Sequence, residues 1–464
     1  MKKLTYHIIN LIILILFALS TWLNPLIFTN LKYGLILVAI FMSMGLFVRF
    51  AKYRKIFNIH KVVLVLALLL SSLNIWISRS IDDILNPINL ETTQLSVYVL
   101  KENASFTLNE SLVLGVSLDI EPSIYESFTL HVENELDFIV RPTQEAYDQD
   151  LIEALYNSSL EGILLDVANL AFLEDEELDD FLNKTVIIYT FEKSTIVTPR
   201  EPIVDDFESN AIVFYISGID HLGALGWRSR SDVNQLAIVN PDTRTISLVS
   251  IPRDTYIPTT CLNNKNDKLA HAAVRGIECS ISTIENYLNV PIDYYVRLNF
   301  SSFISIFDII GPVEVYSHYT FKVNEFSYTK GMNTMDTAMA LSFARARKQV
   351  PGGDQTRGLH QQEIIKGVFK KVTSPSQFGN IQTLINSTRR FVNTNLESSS
   401  ITALLDLHVS STKAWQMDSY VFRGDNASRP MPNDPTRFYS VVIHTEEQIK
   451  EFQELIKDLR RIPE

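Results

Sequence analysis

Arginine and aspartate gather in two groups of short motifs. The first group holds Asp220 after Ser217-Gly218-Ile219, Arg230 and Asp232 in Ser229-Arg230-Ser231-Asp232, and Arg253-Asp254 after Ser250-Ile251-Pro252. The second holds Arg345 and Arg347 in Phe343-Ala344-Arg345-Ala346-Arg347, then Asp354, Arg357 and Gln361 behind Gly352-Gly353. Guanidinium groups present planar, paired donors that match phosphate oxygens. Paired carboxylates suit Mg²⁺, which bridges them to phosphate and keeps several waters. Together these groups fit phosphoryl transfer, where positioning and electrostatics do most of the catalysis. A structural ion pair such as Arg357 with Asp354 would account for one arginine. It accounts poorly for five arginines and four aspartates in Gly-flanked motifs. No P-loop, kinase signature or Gly-x-Ser-x-Gly elbow is present.

Strands and helices must bring these motifs together. Residues 211–216 form a continuous apolar run, as in a central strand, and Asp220 follows just past its end. That is a common place for an α/β active-site group. Residues 234–239 and 245–251 read as two further strands, with Pro241-Asp242 as the turn. Paired as a hairpin, they set Arg230 and Asp232 across from 251–254, so Arg230 and Arg253 meet at one end of the sheet. Such like charges repel unless carboxylates or a bound anion compensate, and Asp232 and Asp254 supply part of that.

Residues 336–347 read as a helix capped by Asn333 or Thr334 and stopped by Pro351-Gly352. Arg345 and Arg347 would point roughly 200° apart on a continuous helix, so sharing a ligand requires the helix to end or bend there. In the next helix Ile364, Ile365, Val368, Phe369 and Val372 form the expected buried stripe, with Arg357 and Gln361 beside it.

The chain has 464 residues, 46% of them hydrophobic and 20% charged, and a net charge of -12. The acidic balance argues against a broad nucleic-acid footprint. Three apolar runs, 6–23, 31–48 and 62–77, approach the ~20 residues that span a bilayer. Lys2, Lys3 and the basic residues of 49–61 place the amino terminus and that loop inside, and everything after about residue 79 outside. A cleaved signal peptide is the alternative for the first run, without changing that topology. The two cysteines, Cys261 and Cys279, then lie outside, where a disulfide can persist; the alternative is two buried thiols. The domain reading is three transmembrane helices over 1–80, a linker at 81–92, an extracellular α/β accessory domain at 93–197 and a catalytic domain at 198–464.

These motifs, together with Lys268-Leu269-Ala270-His271-Ala272, resemble the LytR–CpsA–Psr (LCP) cell-wall ligases, in order over about residues 210–375. The three-span anchor and accessory module look like the CpsA branch. The resemblance implies an α/β/α sandwich with a central mixed sheet and an apolar tunnel for a lipid, among segments such as 294–310. It implies a Mg²⁺-dependent phosphotransferase that moves a glycopolymer, capsular polysaccharide or teichoic acid, from a polyprenyl-pyrophosphate carrier to peptidoglycan N-acetylmuramic acid through a phosphodiester bond. Asp220 and Asp232 would hold Mg²⁺. Arg230, Arg253, Arg345, Arg347, Arg357 and Gln361 would contact the pyrophosphate, and Asp254 and Asp354 would orient the arginines or the metal. The protein would be a multi-pass membrane protein of a Gram-positive type of envelope, with no nucleic-acid partner. Rival readings are an exported lipid-pyrophosphate hydrolase, a membrane sensor or transcriptional regulator, and a module that binds lipid-linked sugar without turnover.

Overall fold

A computed structural model of the chain describes residues 90–461, apart from 110, 198–199, 202–210, 220–225, 375–391, 410 and 412. The three apolar runs expected to span a membrane, the linker up to residue 89 and Asp220 lie outside the described residues. Among the described residues no helix is long and apolar enough to cross a membrane.

The first sheet has the order β3-β2-β4-β1-β5. Its strands are Leu90–Leu100 (β1), Leu114–Ser117 (β2), Gln144–Ala146 (β3), Gly162–Asp166 (β4) and Thr185–Ile196 (β5). β2 runs parallel to β3 and β4, and β1 runs antiparallel to both β4 and β5. Strand β1 begins inside the stretch expected to be linker, because Leu90 already pairs with Ile196. The helices Pro122–Leu136 (α1), Asp148–Tyr156 (α2) and Asp175–Lys184 (α3) complete the module. Helix α3 starts at a capping box: the Glu174 side chain accepts from the Glu177 backbone N–H, and the Glu177 carboxylate accepts from the Glu174 N–H.

The second sheet is mixed and six-stranded. Its first strands are Ile212–Ile219 (β6), Ser231–Asn240 (β7) and Thr245–Ser250 (β8), an antiparallel meander in which Gln235 faces Ser250. The expected hairpin therefore forms. The hairpin pair Tyr256–Thr259 (β9) and Lys265–Lys268 (β10) follows, then the short helix Leu269–Ala272 (α4) and Ile277–Leu288 (α5). Cys261 and Cys279 form a disulfide across this region, with Cα atoms 5.6 Å apart. Tyr294–Leu298 (β11) adds to β6 in parallel and leads into Phe300–Ile310 (α6).

A small β-rich insertion comes next: Val313–Ser317 (β12), Phe321–Val323 (β13), Phe326–Tyr328 (β14) and Gly331–Met335 (β15). It is followed by Thr337–Arg345 (α7) and Asp354–Val372 (α8). Asn393–Thr394 (β16) closes one sheet edge against β11. The helix Ser398–Val409 (α9) falls in a separate unit. Gln416–Val421 (β17) closes the other edge, parallel to β8. The hairpin Asp425–Met431 (β18) with Asp434–Ile443 (β19) and the helix Glu446–Leu459 (α10) end the fold.

Strand alternation decides what lies on each face of this sheet. Val213 and Tyr215 on β6 and Leu236 and Ile238 on β7 point to one side. There they meet Ile277, Ile281, Ile284 and Leu288 of α5 and Ile456 of α10 in a closed apolar core. Helices α6, α7 and α8 cover the opposite side, so the unit is an α/β/α sandwich.

Helix α8 approaches the sheet closely because residue 358 is Gly; a Cβ there would run into the Ser250 side chain. Its sheet-facing side is polar, unlike the expected apolar stripe. The Gln362 side-chain amide donates to Gln235 Oε1 at 3.0 Å, Leu248 O at 3.0 Å and Tyr420 O at 2.8 Å. His360 is fully buried between the rings of Phe343 (4.0 Å) and Phe321 (5.3 Å). Burial pushes its imidazole down to about 4, so it packs as a neutral ring. Of the expected stripe only Ile364 is fully buried; Ile365, Val368, Phe369 and Val372 are half-buried and line a cavity, with Val368 and Val372 also packed against the core around Ile364.

The disulfide closes a loop of sequence separation 18. Replacing both cysteines with serine should lower unfolding free energy by about 3 kcal/mol, the loop-entropy value for such a ring. Denaturant unfolding of the oxidised protein and the double variant checks this, and equal midpoints would contradict it.

Candidate active site

A cavity of about 880 Å³ lies between the sheet and helices α6, α7 and α8. Its two ends differ in chemistry. At one end Arg230, Asp232, Arg253, Arg345, Arg347, Arg357 and Gln361 line it together, with Lys348. Motifs more than a hundred residues apart thus converge on one space. Asp254 and Asp354 stand behind the arginines and are not on the cavity wall. Asp220 is outside the described residues.

Backbone geometry explains the convergence. Arg230 and Asp232 sit at the start of β7, and Arg253 follows the end of β8, directly across the antiparallel pair. Helix α7 is capped by Asp336, whose carboxylate accepts from Met339 N at 2.9 Å. Asn333 and Thr334, the expected caps, instead pair with β12 in β15. The helix stops at Arg345, two residues earlier than expected, and Ala346 is extended. That change of direction lets Arg345 and Arg347 reach the same cavity. Gly352 and Gly353 take φ values of +79° and +53°, which turn the chain into α8 and put Asp354 in its first turn.

The charged groups are held in a chain of pairs. Arg253 Nη1 donates to Asp232 Oδ1 at 2.7 Å, and its Nε lies 3.8 Å from Asp254 Oδ2. Arg357 Nη1 lies 3.9 Å from the other oxygen of Asp232 and its Nη2 contacts Asp354. Lys268 Nζ lies 3.5 Å from Asp254 Oδ1. The Gln361 amide donates to Ala344 O at 3.5 Å, and its carbonyl accepts from Gln235 at 3.4 Å.

Burial opposes ionisation of Asp232, but Arg253 first, then Arg357 and Arg230, outweigh it and hold the carboxyl below its ordinary range. Burial likewise works against the charge of Arg253, and Asp232 and Asp254 outweigh it, so this guanidinium is bound to its proton more firmly than usual. Burial pushes Asp354 up; Arg357 pulls against it, and Asp254 adds to the rise.

The charge count identifies the ligand class. Six cations line the cavity among the described residues, against the two carboxylates Asp179 and Asp232. Arg230, Arg253 and Arg357 are no more than 9% exposed, so water cannot carry their charge. The buried Nε of Arg253 makes no hydrogen bond among the described residues. A polyanion fits this arrangement.

The rest of the wall is apolar: Ile216, Val296, Leu298, Phe303, Ile306 and Val368 are among its residues. The stretch 294–310, expected to form a lipid tunnel, divides between three places. Val296, Leu298, Phe300, Phe303, Ile306 and Phe307 line the cavity. Tyr295 joins the core beneath the opposite face, and Ile310 joins the core under β12 and β15. Arg345 lies 4.8 Å over the Phe300 ring, where the cationic and apolar ends meet.

No group of three or more His, Cys, Asp or Glu side chains at metal-binding spacing occurs among the described residues. Asp232 is ionised and retains lone pairs beyond its two arginine contacts, so it fits as one metal ligand. It is not a site by itself. Residues without a role assigned from sequence also reach the cavity: Leu178 and Asp179, from the first module, and Lys348. Lys268 was noted as part of a motif, but its contact to Asp254 depends on a hairpin partner that only the fold supplies.

Fold and site together describe a three-layer α/β protein with one cavity lined by clustered cations and by apolar side chains. The LytR_cpsA_psr family pattern matches residues 189–457, and the chain belongs to this family. A Bacillus licheniformis protein, "Polyisoprenyl-teichoic acid--peptidoglycan teichoic acid transferase TagU", is 34% identical over 201 residues, which cover 42% of this chain and 64% of that relative. The alignment thus spans less than two thirds of the relative's length. A Bacillus anthracis protein of the same name is 35% identical over 220 residues, covering 45% of this chain and 72% of its own. Among solved structures, B. subtilis TagV superposes with a TM-score of 0.47 at 22% identity, over 55% of this chain and 98% of that one.

Asp232 separates two guanidinium groups that would otherwise repel. Asp232→Asn should cost about 3 kcal/mol of stability, the range for breaking a buried ion pair. Added inorganic pyrophosphate should then raise the variant's melting temperature more than it raises that of the wild type, since the anion replaces the lost charge. Equal or smaller shifts in the variant would show instead that Asp232 serves chiefly to hold Arg253 and Arg357 in place.

Proposed function

We propose that this protein transfers a glycopolymer from a polyprenyl-pyrophosphate carrier to peptidoglycan, forming a phosphodiester bond. The observation that carries this reading is the single cavity with six cations at one end and an apolar wall along the rest. A pyrophosphate attached to a long isoprenoid has the same two-part chemistry. The names of the TagU relatives support a transferase of this kind.

In the reaction an acceptor hydroxyl, at N-acetylmuramic acid, attacks the phosphorus that carries the glycan. The P–O–P anhydride bond breaks, polyprenyl phosphate leaves, and the hydroxyl proton is released to solvent or to the leaving phosphate. Negative charge builds on the bridging oxygen and on the leaving phosphate. Arg253 and Arg357, fixed by Asp232, supply donors that need no reorganisation as that charge develops. Arg345 and Arg347 line the same cavity. Gln361 adds a neutral side chain to the same wall.

The reading includes Mg²⁺ held by Asp232 with Asp220; bound there, it would neutralise phosphate charge. It also includes a membrane anchor in residues 1–80 and an outward-facing catalytic unit, since donor lipid and peptidoglycan acceptor meet at that surface. Capsular polysaccharide and teichoic acid both satisfy the site chemistry, and the names of the relatives favour teichoic acid.

The test incubates the purified protein with a polyprenyl-pyrophosphate oligosaccharide, peptidoglycan and Mg²⁺, and looks for phosphodiester-linked product. Arg253→Lys and Arg357→Lys keep the charge but lose the paired donors. Each should retain donor binding and lose about a hundredfold or more in turnover, as for removal of a transition-state donor. The alanine variants should lose both. Chelation should stop transfer. Phosphate release without linked product would replace transfer by hydrolysis.

A further inference from the structure

The first module grips the segment that leads into β7, at every second residue. Thr92 N donates to Gly226 O at 2.8 Å, Arg228 Nη2 pairs with Asp166 Oδ2 at 2.5 Å, and Arg230 Nη1 donates to Leu173 O at 3.3 Å. That segment ends in Arg230 and Asp232, both on the cavity wall. A second connection runs through side chains. Glu174 Oε1 pairs with Lys268 Nζ at 2.8 Å, and the same ammonium lies 3.5 Å from Asp254, which faces Arg253. From Arg253 the alternation of charge continues through Asp232 to Arg357. Just beyond Glu174, Leu178 and Asp179 of helix α3 line the cavity itself.

We infer that this module is a positioning element of the active site: it sets where Arg230 and Arg253 present their donors to the pyrophosphate. Glu174 is the residue through which it acts on Arg253, and the Leu173 carbonyl the group through which it acts on Arg230. The inference rests on the pyrophosphate reading of the cavity. Lys268 has only about 8% of its side chain exposed, and with the Glu174 carboxylate gone Asp254 is the remaining carboxylate within 4 Å of its ammonium among the described residues. Its attraction is then directed to Asp254, which draws that carboxylate from Arg253. Arg253 depends on a fixed orientation for paired donation, and small misplacement of such a group costs a large factor.

This proposal opposes simple electrostatics. Removing a carboxylate near a cationic site should by itself tighten binding of an anion. Loss of positioning should weaken it. The experiment measures binding of undecaprenyl pyrophosphate in detergent micelles, and of inorganic pyrophosphate, to the full chain. Wild type is compared with Glu174→Gln, Glu174→Asp and Lys268→Gln. Asp180→Ala, on the exposed side of α3 where Asp180 pairs with Lys184 and Tyr156, is the control. Glu174→Gln should bind both probes roughly tenfold more weakly at unchanged melting temperature. Glu174→Asp should recover most of the loss, and adding Glu174→Gln to Lys268→Gln should cause no further loss. Asp166→Asn, which frees Arg228, should weaken binding independently and serves if Glu174→Gln does not fold. Unchanged or tighter binding by the folded Glu174→Gln and Asp166→Asn variants would overturn the inference while leaving the pyrophosphate site standing. Failure of the wild type to bind either probe would instead overturn the reading on which it rests.

Discussion

The structure is organised around the cost of holding guanidinium groups together away from water. Arg230, Arg253 and Arg357 are nearly buried and share one cavity with Arg345 and Arg347. In low dielectric their repulsion is strong, and desolvation adds to it. Asp232, placed between Arg253 and Arg357, removes part of the cost, and Asp254 and Asp354 remove more from behind. Because the carboxylates stay behind or between the arginines, the donors remain available on the cavity side. Balance within the protein is incomplete, and the proposed pyrophosphate would complete it.

The same constraint explains the polar interior of helix α8. A helix that brings Arg357 and Gln361 to the sheet edge must lie close to the sheet. Gly358 permits that approach, and Gln362 satisfies backbone and side-chain groups that it would otherwise bury unpaired. With its polar side spent on the sheet, the apolar side of α8 faces α6 and α7 across an unfilled space. An apolar cavity of this size is costly in a closed core. Beside an anion site it suits a hydrocarbon chain covalently linked to phosphate. The first module extends the constraint outward, since Glu174 pairs with Lys268 and the Leu173 carbonyl accepts from Arg230.

Much of the candidate site was legible because it depends on residue type and local order. Gly-flanked Arg and Asp motifs announce anion chemistry wherever they occur. Two apolar strands joined at Pro241-Asp242 can place Arg230 and Arg253 together by hairpin register alone. Boundaries were less legible. Asn333 and Thr334 have the chemistry of helix caps, yet β12 takes them into a strand, and Asp336 does the capping. Ile365, Val368 and Phe369 have the periodicity of a core stripe, and periodicity does not distinguish packed core from cavity wall.

The sequence alone determined that the chain carries an α/β domain with clustered arginine and aspartate motifs, and that two cysteines lie near enough in the chain to pair. These are matters of composition, short-range spacing and strand period. Tertiary structure decided which arginines face one cavity, that Asp254 and Asp354 support them from behind, and that Lys268 and Glu174 join the network. Each of those contacts crosses between elements distant in the chain, and its existence depends on strand register, helix ends and the closeness of packed layers. No local pattern encodes the separation of Glu174 from Lys268, because it is set by how one folded module rests against another.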